Sequence, residues 1–368
     1  MVRVLHVING ADVGGISTMI LNYYRHINRQ AVHFDFVSAD QEQGYNGKEL
    51  EKLGSKFYYI EKKSNGLWKH MKALNKLMKE EQFDAVHVHS NHTSYVALIV
   101  AWTNHIKIRF AHGHNAVKNK LPFRESLSRR IGIILIKLFA TKRLACSKDA
   151  AIYTFGKHSL GEKTLEILPN AIDVEKFRFN SKKRVQYRNE FGIKNEDFVV
   201  GCVGRMSTEK NHIFLVEMMP SLLKKIPNVC LMLVGDGDEK KQLEQRAKEL
   251  NIEKNVVFTG SRSDVADLLS SMDVFVLPSI YEGFPIAAIE ALANGLPVIL
   301  SDTITRELDF TDSVSYISLK DSCEDWTDLI CAKRKNGHLL EQSETVIEQG
   351  YDIHFTTQQL VRFYLEKA

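Results

Sequence analysis

The stretch 272–302, MDVFVLPSIYEGFPIAAIEALANGLPVILSD, admits few folds. Its run Val274–Leu277 is short, β-branched and aromatic, with no polar alternation, the pattern of a strand buried on both faces. Pro278 ends that strand, Pro285 stands where a helix begins, Gly295 stands where it stops, and a second apolar strand opens at Pro297. Strand, loop, helix and strand within about thirty residues make a βαβ unit. Its loop opens at the carboxyl end of a parallel strand, the edge at which open α/β sheets bind ligands.

Two carboxylates bracket the loop, Glu282 and Glu290, with seven residues between them. Gly283, Phe284 and Pro285 let backbone N–H groups approach a ligand, and the helix dipole favours an anion there. Acids beside a phosphate need other work to do. Glu290 can accept hydrogen bonds from ribose hydroxyls, and Glu282 can hold the hydroxyls of a sugar. The plainer alternative is a crossover helix with a solvated glutamate at each end.

At 368 residues the chain suits two domains of roughly 180 residues each. A hydrophobic share of 44% and a charged share of 26% are those of a globular protein, and a net charge of +4 gives no reason to expect nucleic acid as a partner. The amino end reads as a strand and a glycine loop, and no window has eighteen apolar residues in a row. The five cysteines lack CxxC spacing, and Cys146, Cys202 and Cys230 sit in apolar runs, which points to reduced thiols and a cytosolic setting.

In chain order, Val2–Ile8 is a β-branched strand followed by Gly14 and Gly15 and then a helix. This glycine pair lacks GxGxxG spacing, which disfavours NAD. Further strands read at 32–37, 56–60, 84–89, 107–111, 143–146 and 165–168, so the first half is α/β with a mainly parallel sheet. His87, His89, His112 and His114 gather at the carboxyl ends of two of those strands. No third ligand is spaced to complete a metal site, and a polarising role is assigned to His112. The segment 124–143 is a helix with an apolar centre and basic flanks; it reads either as a membrane-surface helix or as a core helix.

The pattern breaks at 168–173, and the basic, polar stretch 181–196 reads as a passage into a second α/β domain opening with Phe198–Val203. After that strand, Arg205 and Lys210 stand five apart behind Gly204, where a Rossmann-like unit meets phosphates. Arginine can grip phosphate oxygens in a fork and lysine can add a point charge, so the two can neutralise a diphosphate without metal. Further strands read at 229–234, 255–258, 273–277 and 298–300. Asp236-Gly237-Asp238 reads as a loop and helix cap rather than a cation site, and 356–366 reads as a last amphipathic helix.

Gly14-Gly15, His112, Pro169-Asn170-Ala171-Ile172-Asp173, Gly204-Arg205, Glu209-Lys210-Asn211, Phe258-Thr259-Gly260 and Glu282-Gly283-Phe284-Pro285 with Glu290, taken in order over nearly the whole chain, resemble the GT4-type retaining glycosyltransferases of the GT-B fold. Ala111-His112-Gly113-His114-Asn115 and Ser301-Asp302-Thr303 resemble the bacterial exopolysaccharide and capsule transferases among them. The resemblance implies two Rossmann-like domains facing a cleft, one of residues 1–180 with 350–368 returning to it and one of 181–349. It implies a UDP-linked hexose donor held by the second domain and a saccharide or lipid-linked saccharide acceptor at the first, with no metal required. Arg205 and Lys210 would bind the diphosphate, Glu290 the ribose, Glu282 and the backbone of Gly283, Phe284 and Pro285 the sugar and phosphate. Arg262 would lie near the base, His112 near the transferred sugar, and Gly15 would let the first loop approach the phosphate. No carboxylate is placed as a covalent nucleophile, in keeping with a same-face displacement. Two departures are Thr303-Ile304-Thr305, where many relatives turn on a glycine pair, and Ala171 in place of a glycine. An epimerase or hydrolase on the same fold, and a non-enzymatic nucleotide-sugar-binding protein, are the alternatives.

Overall fold

A computed structural model describes all residues except 12–14, 41–43, 115–122, 283, 335–336 and 367–368, and the side chains of 123–125. The chain divides into two compact units, Met1–Ala171 with Asp352–Ala368, and Ile172–Tyr351.

In the first unit the strands are β1 (Val2–Ile8), β2 (Val32–Ser38), β3 (Phe57–Tyr59), β4 (Ala85–Val88), β5 (Ile108–Gly113), β6 (Lys142–Ala145) and β7 (Leu165–Ile167). They form one parallel sheet in the order β3-β2-β1-β4-β5-β6-β7. The order reverses between β1 and β4, so the loops after these strands diverge and leave a crevice at the carboxyl edge. The run 124–143 splits into the helix Phe123–Phe139 and the start of β6. The last helix, Ile353–Leu365, buries Ile353, Thr356, Thr357, Leu360, Phe363 and Tyr364. That three-and-four spacing puts one face on the core formed by Val4, Phe34, Phe36 and Phe110. Asp352 caps it by accepting from the backbone of His354 and Phe355.

In the second unit β8 (Phe198–Val203), β9 (Val229–Val234), β10 (Val256–Gly260), β11 (Val274–Leu277), β12 (Val298–Ser301) and β13 (Val314–Ile317) form a parallel sheet in the order β10-β9-β8-β11-β12-β13. Strand β13 escapes the sequence reading because it is a half-buried edge strand that carries Ser315 among its four residues. The stretch 181–196 is no linker. It holds the helix Ser181–Glu190, whose Arg184 and fully buried Arg188 both donate to the Asp273 carboxylate, at 2.5 and 2.7 Å. The same carboxylate accepts from Val199 N at 2.7 Å, tying that helix to the foot of β8. Gly235, with φ of +140°, brings the end of β9 so close to β8 that a Cβ would lie 2.0 Å from Gly204 O. Cys146, Cys202 and Cys230 are buried free thiols.

Candidate active site

In the second unit the order reverses between β8 and β11, and the loops that leave these two neighbours are stitched together. Asn211, in the left-handed conformation at φ 56°, donates from its side chain to Pro278 O at 3.1 Å. Ile280 N donates to Glu209 O at 2.8 Å. Ser301 and Thr303 both donate to Ser279 O, at 2.5 and 2.7 Å, so the departure at Thr303 secures the loop rather than loosening it.

This stitching sets Lys210 against Glu282, with Nζ and Oε2 2.5 Å apart and side chains 23% and 14% exposed. Ser279 Oγ donates to the same Glu282 oxygen at 3.4 Å. Glu290 stands one helical turn inside Ile286–Ala293, the helix that leaves the loop. Pro285 takes the capping position, one before the first helical residue at which it was expected, and no side chain caps that end. Among the described residues nothing hydrogen-bonds the Glu290 carboxyl. Burial pushes it up from 4.5 to about 7, against the opposing pull of Lys176 and Lys210. Lys210, Glu282 and Glu290 therefore form one group, and Lys176 is a member the sequence reading missed. It comes from the short helix Val174–Phe177, well upstream of both loops, with no motif to mark it.

Arg205 is exposed, its guanidinium 3.5 Å from the Asp238 carboxylate. The Asp236-Gly237-Asp238 turn packs against that loop, Met206 N donating to Asp236 O at 2.9 Å. Glu239, not Asp238, holds the capping position of the following helix; its carboxylate does not cap the backbone and accepts instead from Thr208 Oγ1 at 2.7 Å. Arg262 lies after the edge strand β10, where Asp264 accepts from its Nε at 2.8 Å and its Nη2 at 2.6 Å. Beside that guanidinium Asp264 is held down at about 2. Arg262 shares no ion pair or hydrogen bond with Lys210, Glu282 or Glu290. Phe284 is buried against Tyr351, with ring centroids 5.6 Å apart. Gly283 lies outside the described residues. In the first unit Gly15 is the exposed first residue of the helix Gly15–His26, with nothing within 4 Å of where its Cβ would be.

His112 lies within β5 and is completely buried. Its neighbours are His87 in β4, His89 and His114 just past the ends of β4 and β5, and His6 in β1. His6 Nδ1 meets His89 Nε2 at 2.9 Å, His89 Nδ1 meets His114 Nε2 at 2.8 Å, and His87 Nε2 meets His112 Nδ1 at 3.2 Å. His87 Nδ1 meets the Tyr364 hydroxyl of the last helix at 2.5 Å. Sequence spacing showed no third ligand near these histidines, and the fold supplies one. His6, His87 and His89, and likewise His89, His112 and His114, hold ring nitrogens within 4.8 Å of one another. Desolvation keeps all five neutral, with His6 and His114 down to about 3. Yet these donor sets contain no carboxylate or thiolate to offset a cation, and the facing nitrogens already share protons in pairs. Adjacency of β1 to β4 would have revealed His6, which sits opposite His87 in register.

The profile described as "Glycosyl transferases group 1" matches residues 183–310, and "Glycosyltransferase Family 4" matches 13–176. The chain is 31% identical over 369 residues to the putative glycosyltransferase EpsF of Bacillus subtilis, covering 98% of this chain and 96% of that one. It is 25% identical over 380 residues to the capsular polysaccharide biosynthesis glycosyltransferase CapH of Staphylococcus aureus, covering the whole of both. Among solved structures, Anabaena HepE in complex with UDP superposes over the whole of both chains with a TM-score of 0.82 at 18% identity, a likeness of fold. Two parallel Rossmann-like sheets, a basic loop stitched to an acidic one, and a full-length match to EpsF make this chain a member of the GT-B glycosyltransferases of group 1 and family 4.

Proposed function

We propose that this glycosyltransferase moves a hexose from a UDP-sugar to a saccharide or lipid-linked saccharide acceptor in exopolysaccharide or capsule assembly, with retention at the anomeric carbon and without a metal. The observation that carries the reading is the Lys210–Glu282 pair beside a Glu290 carboxyl that has no hydrogen-bond partner among the described residues. Lys210 is balanced by Glu282 until a diphosphate arrives to compete for it, and Arg205, whose one ion pair among the described residues is to an exposed Asp238, can swing onto the same phosphates. Glu282 and the backbone around Gly283, Phe284 and Pro285 then hold the sugar, and Glu290 accepts from the ribose. Arg262 is the reading's residue for the base, Gly15 for phosphate approach and His112 for the transferred sugar.

As the C1–O bond to the diphosphate breaks, its electron pair stays on the leaving oxygen. The fixed cations stabilise that charge, worth roughly a hundredfold or more in rate. The acceptor oxygen bonds to C1 on the same face, and its proton passes to the departing phosphate. The matches to glycosyltransferases leave the epimerase, hydrolase and binding-protein alternatives without support. UDP at a hundred times its dissociation constant stabilises the protein by about 2.7 kcal/mol, with and without EDTA. Stabilisation lost on chelation, or given by GDP or ADP in place of UDP, overturns the donor assignment. Arg205→Ala abolishes transfer with the fold intact; a folded variant at near-normal rate overturns its role.

The helix Phe123–Phe139 supports a membrane-surface setting. Leu127, Ile131, Ile134 and Leu138 are 48 to 68% exposed at four-three-four spacing, flanked by exposed Arg130 and Lys137, while Ile136 faces inward. Gly132 lets this helix approach so closely that a Cβ would lie 2.2 Å from His92 O, which fixes the apolar stripe outward. No helix among the described residues is long and apolar enough to cross a membrane. Flotation with anionic vesicles, and loss of it in Ile134→Glu or at high salt, tests this; equal binding to neutral vesicles refutes it.

A further inference from the structure

The buried histidines of the first unit fall into two hydrogen-bonded rows, and counting protons orients them. The first row is Tyr364–His87–His112 and the second is His6–His89–His114. Three nitrogens at the row ends are buried without a partner: His112 Nε2, His6 Nε2 and His114 Nδ1.

A neutral imidazole carries one N–H, on one of its two nitrogens. The Tyr364 hydroxyl has His87 Nδ1 as its hydrogen-bond partner, and burial keeps its own proton on. It therefore donates to His87 Nδ1, which leaves the His87 proton on Nε2, donating to His112 Nδ1. His112 must then carry its proton on the unpartnered Nε2. The second row has two bonds and three protons, so one of its ends is a bare lone pair and the other an N–H.

We propose that Tyr364, on the helix that returns to the first unit, is a positioning residue. It polarises a one-way row through His87 to His112, so that His112 carries its proton on Nε2 and presents a fixed imidazole N–H donor. The ligand class such donors suit is a saccharide hydroxyl or glycosidic oxygen, which accepts hydrogen bonds. The chain hands no proton over in the reaction; it selects tautomers. This functional half rests on the glycosyltransferase reading above, whereas the tautomers themselves do not.

The test is nitrogen-15 NMR of histidine-labelled protein without nucleotide, wild type against Tyr364→Phe. The substitution removes only the hydroxyl and keeps the ring that stacks on Phe110 with centroids 5.3 Å apart. Wild type shows His87 and His112 protonated at Nε2. The variant shows mixed tautomers at His87 and His112. Its kcat falls about tenfold with the donor KM unchanged, as misorientation rather than lost binding predicts. Overturning results are a wild-type His112 protonated at Nδ1, a Tyr364→Phe spectrum identical to wild type, or one equivalent of tightly bound zinc in the purified protein, since ligand nitrogens cannot also carry these protons. Should Tyr364→Phe fail to fold, the wild-type tautomers alone decide. Correct tautomers with no transfer from any nucleotide sugar would fault the functional reading and leave the chain standing.

Discussion

Replacing Glu290 by glutamine is expected to make the protein more stable and less active, and pH separates the two effects. The carboxyl rises from 4.5 in the unfolded chain to about 7 in the native state because burial disfavours its ionised form. Between those values the native protein holds a proton that the unfolded chain has released, so stability falls as pH rises through that window. Below about 4.5 both states are protonated and the group costs nothing; above about 7 the cost is complete, about 3 kcal/mol. Glutamine keeps the shape and carries no charge. The difference in unfolding free energy between Glu290→Gln and wild type should therefore be near zero at pH 4.5 and approach 3 kcal/mol in favour of the variant at pH 8. Denaturant titration at both pH values measures it, followed by a probe in the second unit, because two units need not unfold together. Transfer at pH 8 should fall sharply in the variant, since an ionised acceptor for ribose is lost. A stability difference independent of pH, or a variant less stable than wild type at pH 8, refutes the reasoning.

Lys210→Met removes the charge and keeps the stem, so transfer should fall about a hundredfold or more in kcat, while the loss of its 2.5 Å partner leaves Glu282 to repel a diphosphate; an unchanged rate in a steady-state assay would count against the site. Asp273→Ala strands the fully buried Arg188 guanidinium and should cost the second unit about 3 to 5 kcal/mol in a denaturation measurement. Gly235→Ala places a methyl 2.0 Å from Gly204 O at a backbone angle that side chains avoid; expected is a loss of about 3 kcal/mol, with weaker UDP binding in calorimetry because the Arg205 loop is pushed off β9.

Local pattern carried a great deal. Uninterrupted apolar runs such as Phe198–Val203 and Val229–Val234 mark strands buried on both faces, and their observed bounds coincide with those read from sequence. The order of Pro278, Glu282, Pro285, Glu290 and Gly295 announced a strand, a ligand-facing loop and a helix because each residue acts on its own stretch of backbone. What periodicity cannot report is which distant segments become neighbours. That Lys210 meets Glu282, 72 positions on, depends on β8 lying beside β11, and that Lys176 reaches Glu290 depends on where a short helix packs. His6 and Tyr364 join the histidines only through the β1–β4 pairing and the docking of the last helix. The stripe on Phe123–Phe139 had two readings in sequence, since apolar residues at helical spacing suit a core as well as a surface; packing through Gly132 turned Ile134 and Leu138 outward. Chain-local sterics and burial preference are written residue by residue, whereas electrostatic and hydrogen-bond partners are chosen by the order of strands in a sheet, which only the folded chain fixes.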